Sequence, residues 1–412
     1  MILFWLAVSA IDYADVAPLL HTKCAPCHRP GEVAPFSLLT HGDVSKHAKQ
    51  ISVVVGLGIM PPWKAVHGDF VGSRALSGKD RALLLRWLKT GAPLGKKPAP
   101  AAPQFRQGWQ LGEPDLILEM PQPFAVPADG GDLYQCFVIP LGLERYVRAW
   151  EFQPGARATL HHALFFTDGS KGARKRAAAG GGTYSCFGVP GFLPSGSLGG
   201  WSPGFAAFES PLGTASRLQA GHDLVMQFHY HPTGKRETDR SRIGLYFADK
   251  PPTRKIVDVG LVSRLIDIPA GEAAYKVRDH FTLPIDVEVI GVIPHAHYIC
   301  KRMLGWAVIP NGRKKVLIEI NDWDFNWQEQ YRYRRPFILP AGTRVEMEFT
   351  YDNSAANPRN PSSPPKRVEW GPDTTDEMAG LHIQVIPVRA EEMSELGKAL
   401  WGKIMRSVGG RF

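Results

Sequence analysis

The chain has 412 residues, 44% of them hydrophobic and 21% charged. That balance is ordinary for a folded soluble protein, and the length exceeds one core, so two or three domains are expected. Its 48 Lys and Arg against 39 Asp and Glu give a net charge of +9, which favours anionic small molecules or acidic partners. No helix-turn-helix, zinc finger or aromatic RNA-binding motif accompanies that charge, "KGARKR" (171–176) reads as a solvated loop, and nucleic acid is excluded as a partner.

Residues 1–11 open with "MILFWLAVSA", apolar and closing on small residues. The run is too short to span a bilayer, for which about 20 residues are needed. It reads as the remnant of an export signal or anchor, with a buried first helix as the alternative, and membrane association through this N-terminus is possible. Residues 12–95 read as a small helical unit. "DYADVAPLLHTKC" and "HGDVSKHAKQISVVV" are amphipathic helices, and "LSGKDRALLLRWLKTGAP" is a third, capped by Ser77 and stopped by Gly91 and Pro93. The first helix runs into Cys24, Cys27 and His28, a Cys-x-x-Cys-His. Two thiols one helical turn apart can take up a haem through thioether bonds, with the adjoining imidazole under the iron. No second Cys-x-x-Cys exists to complete a zinc site instead. Met60, in "GIMPPW", is the expected sixth ligand, with His41, His47 and His67 as alternatives. Covalent haem c places the chain in the periplasm or otherwise outside the cytoplasm, where disulfides also survive. Cys136 can then pair with Cys186, leaving Cys300 odd; the other two pairings of these three cysteines stay open.

A Pro/Ala-rich linker, including "PAPAAPQ", occupies 96–112. Beyond it, "DLILEM", "RYVRAWEF", "HDLVMQFHYH", "RIGLYFA", "DVEVIGVIP", "KKVLIEI" and "RVEMEFTYD" alternate or are β-rich, and Gly, Pro, Asn and Asp divide them. That pattern predicts all-β sandwiches, one over 113–250 and one over 251–390, with "ADKPPTRK" (248–255) as a hinge. Residues 391–412 read as a closing amphipathic helix, with a disordered end as the alternative and membrane contact possible. The fold class is therefore multidomain: a small all-α domain followed by two all-β sandwiches.

Seven of the 14 histidines fall in four clusters within or beside these strands. His295 and His297 are two apart, so both imidazoles leave the same face of a strand and can reach one metal. His229 and His231 share that geometry, and spacing does not choose between them. His161 and His162 point to opposite faces of a regular strand and can share an ion only if a bulge or strand end turns the chain. Imidazoles without clustered carboxylates or thiolates suit copper or zinc, and an added thioether tips the choice to copper. Met378 is one candidate, alongside Met120, Met226, Met303 and Met347, which composition does not separate.

Taken together, "LHHALFF" (160–166), "MQFHYHPTG" (226–234), "IPHAHYICK" (293–301), "DFNWQEQY" (324–331) and "TTDEMAGLH" (374–382) resemble the copper type II, ascorbate-dependent monooxygenases. That group contains peptidylglycine hydroxylating monooxygenase and dopamine β-monooxygenase. "CAPCHRPGEVAPFSLL" with "MPPW" looks like the cytochrome c module that bacterial members carry in front. The resemblance implies two jelly-roll-like sandwiches, each with one copper, facing each other across a cleft. It assigns His161, His162 and His229 to the electron-transfer copper, leaving His231 out, and His295, His297 and Met378 to the oxygen-binding copper. It implies hydroxylation of a C–H bond of a small substrate with O₂, on electrons from ascorbate or a redox partner protein, relayed by the haem. In the peptide-processing relatives a basic residue just before His-x-His and a tyrosine after the methionine hold the substrate carboxylate. Here Ile293 and Pro294 precede His295 and His382 takes the tyrosine's place, which argues against a peptide C-terminal glycine and makes His382 a candidate substrate-site residue. The alternatives are a non-catalytic haem/copper electron carrier and a copper-binding scaffold or sensor.

Overall fold

The computed structural model describes residues 10–186, 190–205, 207–371 and 373–409; most of the apolar opening run read as a signal lies outside them. The chain forms two compact units, Met1–Trp63 with Ser73–Gln107 and Lys64–Gly72 with Gly108–Phe412.

The first unit carries α1 (Tyr13–Lys23), α2 (His41–Lys46), α3 (Ala48–Gly56) and α4 (Gly78–Lys89). Asp15 accepts the Asp12 N–H at the start of α1, and Ser77 Oγ accepts the Asp80 N–H at the start of α4, satisfying donors that a helix start leaves open. Val16, Ala17 and Leu20 of α1 pack with Leu84, Trp87 and Leu88 of α4, around Val44, Ile51 and Val55. The stretch expected as one second helix is two. Thr40 caps α2 through the Asp43 N–H, and His47 leaves helical geometry at φ −110°, ψ 10° with its ring stacked on Phe36 at 3.8 Å.

Lys64–Gly72, inside the stretch read as helical, belongs to the β unit. Its strand Ala65–His67 pairs with Lys314–Ile320, and Phe70 is buried against the rings of Tyr331 and Tyr333. Main-chain bonds from Val71 N–H to Arg332 O and from Arg334 N–H to Asp69 O fasten it.

The rest of the β unit is two sandwiches of antiparallel sheets, and every quoted run from "DLILEM" to "RVEMEFTYD" contributes a strand. In the first, the sheet Thr183–Ser185, Leu133–Pro140, Asp223–Tyr230, Leu160–Asp168, Gly196–Trp201 packs on the sheet Ser216–Leu218, Arg145–Gln153, Arg242–Phe247, Leu116–Glu119. Alternation decides which side chains meet: Phe137, Phe165, Met226 and Phe228 point inward onto Trp150 and Phe152. The opposite face carries Cys136, Val138 and Val225, covered by α5 (Gly172–Ala177). "KGARKR" is thus a short helix rather than a loop, because Ala173 and Ala177 face that cluster and Asp168 accepts the Ala173 N–H. Cys136 and Cys186 are joined in a disulfide, and Cys300 is free and buried.

In the second sandwich, Ala65–His67, Lys314–Ile320, Cys300–Val308, Arg344–Tyr351 and Tyr275–Thr282 form one sheet. Val257–Ser263, Ala379–Pro387, Val287–His295 and Tyr331–Leu339 form the other. The two sheets approach closely at Gly305, where an added Cβ would lie 2.4 Å from the Leu381 side chain. The tail is α6 (Met393–Gly409).

Candidate metal centres

His229 lies opposite His162 in the pairing of Asp223–Tyr230 with Leu160–Asp168. The next pair is Tyr230 with Leu160, so His161 is an extra residue in a bulge. That bulge turns His161 to the side that His162 and His229 already share. The ligand nitrogens of the three lie within 4.8 Å of one another, and His162 Nδ1 is 3.3 Å from Nδ1 of both His161 and His229. Two nitrogens bound to one ion at about 2.0 Å and a tetrahedral angle lie about 3.3 Å apart, so this donor set fits a metal ion.

Asp132 supports it from behind. Its Oδ2 is 2.9 Å from His229 Nε2, and its Oδ1 is 2.7 Å from His231 Nδ1. The His229 contact is close without the alignment of a full hydrogen bond. A proton on Nε2 facing the carboxylate leaves Nδ1 of His229 free to bind, the arrangement that orients many metal-ligating histidines. The imidazoles of His229 and then His231 hold the Asp132 carboxyl down at about 2. Tyr134 stacks on His229 at 4.3 Å. Burial, then His229, pushes His161 down to about 4, and burial pushes His162 well below its ordinary value, so both are neutral at pH 7, the form able to bind a metal. His231 is exposed and turned to Asp132, outside the trio.

The second group sits on the outer face of the sheet Val257–Ser263, Ala379–Pro387, Val287–His295, Tyr331–Leu339. His295 ends its strand opposite Gly380, and Ile293 lies opposite His382. Positions two apart share a face, so His295 and His382 face the same side. The His295 and His297 rings are 5.3 Å apart. His295 Nδ1 bonds Gln328 Oε1 at 2.7 Å and His297 Nδ1 bonds the Asp376 carbonyl at 3.1 Å, so Nδ1 carries the proton and Nε2 is left open on each ring. Burial, then His297, lowers His295 to about 4, and burial lowers His297.

Met378 is joined to this pair through Glu377. That buried carboxylate accepts the N–H groups of His297 and Met378 on Oε2 and of Ile299 and Cys300 on Oε1. Burial pushes its carboxyl up to about 8 while the four donors pull the other way. The Trp323 indole holds the His297 carbonyl and the Tyr351 hydroxyl holds that of Met378. Asp132 and Tyr134, which touch His229, line an open pocket of about 380 Å³ with Tyr298 and Thr374, and Trp327 stands 6.3 Å from the His161 ring.

In the helical unit Cys24 and Cys27 are half-buried thiols on one turn, with the Cys27 and His28 N–H groups both on the Cys24 carbonyl. Burial pushes Cys24 up to about 12 and raises Cys27. His28 Nδ1 bonds the Phe36 carbonyl at 3.1 Å, leaving Nε2 open. This arrangement fits thioether attachment with an iron-ligating imidazole. Met60 follows α3, half-buried, its N–H on Val54 O. Of the alternatives, His41 is bonded to Ala92 O and Ser45, His47 is stacked on Phe36, and His67 pairs with Glu319 in the β unit.

Sequence reasoning missed Asp132, Gln328 and Glu377. Gln328 lies in the quoted "DFNWQEQY" and Glu377 adjoins Met378, so a signal existed for both, whereas nothing in "GGDLYQ" marks Asp132. A scan against family models finds no match for the chain, and a search of curated proteins finds none. Among solved structures it overlaps the infectious bursal disease virus Gx strain at 7% identity, over 67% of this chain and 73% of that one, with a TM-score of 0.20. It overlaps the PBSX exported protein XepA at 8% identity, over 57% and 86%, with a TM-score of 0.17. At such scores neither likeness bears on fold or function.

Proposed function

We propose that the protein is a copper-dependent monooxygenase that hydroxylates a C–H bond of a small organic substrate with O₂. Its electrons come from ascorbate or a redox partner protein through a covalent haem c. The observation that carries this reading is the pair of imidazole groups in the β unit, a convergent trio and a pair whose Nδ1 atoms are both engaged. His161, His162 and His229 would hold one copper, and His295, His297 and Met378 the other. Met378 favours copper over zinc, because a thioether is a soft ligand. Cys24 and Cys27 would bond the haem, with His28 and Met60 on its iron. Bound copper supplies one-electron chemistry and an open position for O₂.

The chain's own residues do the positioning. Asp132, Gln328 and the Asp376 carbonyl fix three imidazoles, and Glu377 sets Met378 relative to His297. Ile293 and Pro294 offer no charge for a substrate carboxylate, and His382 shares the face of His295, where it would meet substrate. The reading implies an exported, periplasmic protein with jelly-roll-like sandwiches.

Protein matured with haem in the periplasm should carry about two coppers and one haem per chain, and Met378→Ala should lose about one copper. O₂ uptake coupled to substrate loss separates the enzyme from a haem/copper electron carrier. One copper or none, unchanged in the variant, overturns the two-centre reading.

A further inference from the structure

Helix α6 is seated by one side only. Leu396 is buried, and Lys403 reaches Asp279 Oδ2 at 2.6 Å and the His280 carbonyl at 2.9 Å on the strand Tyr275–Thr282. Trp401, Ile404 and Met405 are 64%, 50% and 51% exposed. Their spacing of three and four makes one outward stripe. Lys398 and Arg406 lie beside it, also exposed. Across 393–409, Lys398, Lys403 and Arg406 against Glu395 leave a net +2; Lys403 is paired with Asp279, so Lys398 and Arg406 carry the charge offered outward.

Two neighbouring features extend the pattern. At the junction of α6 with the strand is a second pocket of about 380 Å³, lined by His280, Thr282, Lys398, Lys403 and Arg406 among others. Asp279 Oδ2 also accepts the N–H of Val262, in the strand Val257–Ser263, so the turn after that second strand begins beside Lys403, and its Leu265 is 80% exposed.

We propose that α6 lies in the plane of an anionic phospholipid surface, with Trp401, Ile404, Met405 and Leu265 against the acyl boundary and lipid phosphate held at the basic pocket. The charge decides the partner. An apolar stripe carrying Trp and edged by Lys and Arg matches an interface that is apolar below and negative above. Among the described residues no helix is long and apolar enough to cross a membrane, so the contact is along the surface.

Flotation of the full-length protein with vesicles of equal parts phosphatidylglycerol and phosphatidylcholine tests this. Binding should be strong to those vesicles, weak to pure phosphatidylcholine, and lost in high salt. Lys398→Gln and Arg406→Gln should each weaken partition roughly fivefold. Trp401→Glu and, on a separate element, Leu265→Glu should abolish it while thermal unfolding stays unchanged. No binding to the anionic vesicles, or binding unaltered in Trp401→Glu and Leu265→Glu, overturns the proposal. So does a dimer in sedimentation that Trp401→Glu dissolves, since the stripe would then serve a second copy.

Discussion

Replacing Glu377 with Gln probes how His297 and Met378 are held together. The side chain keeps its shape, but only one oxygen remains to accept hydrogen bonds. The four N–H groups of His297, Ile299, Cys300 and Met378 divide two to each oxygen, so either orientation of the amide leaves two buried donors facing an NH₂ group. At about 1–3 kcal/mol for each unsatisfied buried donor, the loss is about 2–6 kcal/mol. For a unit of this size roughly 2 °C of melting temperature accompanies each kcal/mol, a shift well outside error. Denaturant unfolding of the metal-free protein at a pH above the carboxyl's value of about 8, where both oxygens accept, measures it by tryptophan fluorescence, because Trp323 bonds the His297 carbonyl. On the proposed reading, copper affinity at the His295, His297 and Met378 centre should fall at least tenfold, as loss of supporting contacts does elsewhere, with the trio unaffected. Because Gln also removes the charge whose burial raises this carboxyl, the deciding readout is metal affinity, and an affinity unchanged at this centre would refute the reasoning.

If the trio holds copper as proposed, Asp132→Asn should weaken its binding by roughly 10–100-fold and leave the other centre alone, read by competition with a Cu(I) chelator. Reducing the Cys136–Cys186 disulfide, which closes a separation of 50 residues, should cost about 4 kcal/mol, seen as a lower urea midpoint with reductant. Burial raises the Asp168 carboxyl, but bonds from Ser170 and the Ala173 N–H outweigh it and the net shift is downward. A depressed folded value gives stability that is present above the unfolded value, about 3.9, and is lost as pH falls through the folded one. Asp168→Asn should therefore be less stable than wild type near neutrality, with the gap closing below about pH 4; a constant gap would refute it. Gly305→Ala should destabilise by about 1–3 kcal/mol, since its methyl meets Leu381.

Strand positions were legible because alternation is a strong local signal, and "HDLVMQFHYH" forms its strand in register with "LHHALFF". The His161/His162 problem was stated correctly by the two-residue period, yet the bulge that resolves it depends on pairing with a partner strand over sixty residues away. Asp132 was invisible for a related reason: a loop aspartate acquires meaning only when the fold carries it beside His229. The division of α2 from α3 escaped because apolar periodicity continues through His47, while the Phe36 ring that stacks there comes from an earlier loop. Lys64–Gly72 carried no strand signal longer than three residues, and its place follows from Phe70 and the main-chain bonds it makes with Arg332 and Arg334.

That segment changes what can be cut from the protein. The chain passes from the helical unit into the β unit at residue 64, returns at 73 and passes over again near 108, so the N-terminal unit is not a bead that can be clipped off at the Pro/Ala-rich linker. A fragment ending there would carry away Phe70 and bare the rings of Tyr331 and Tyr333 together with the edge of Lys314–Ile320, an invitation to aggregate. A protease that nicks the linker should leave two polypeptides that still travel as one particle. Anyone grafting this helical module onto another scaffold must move a piece of the sandwich with it.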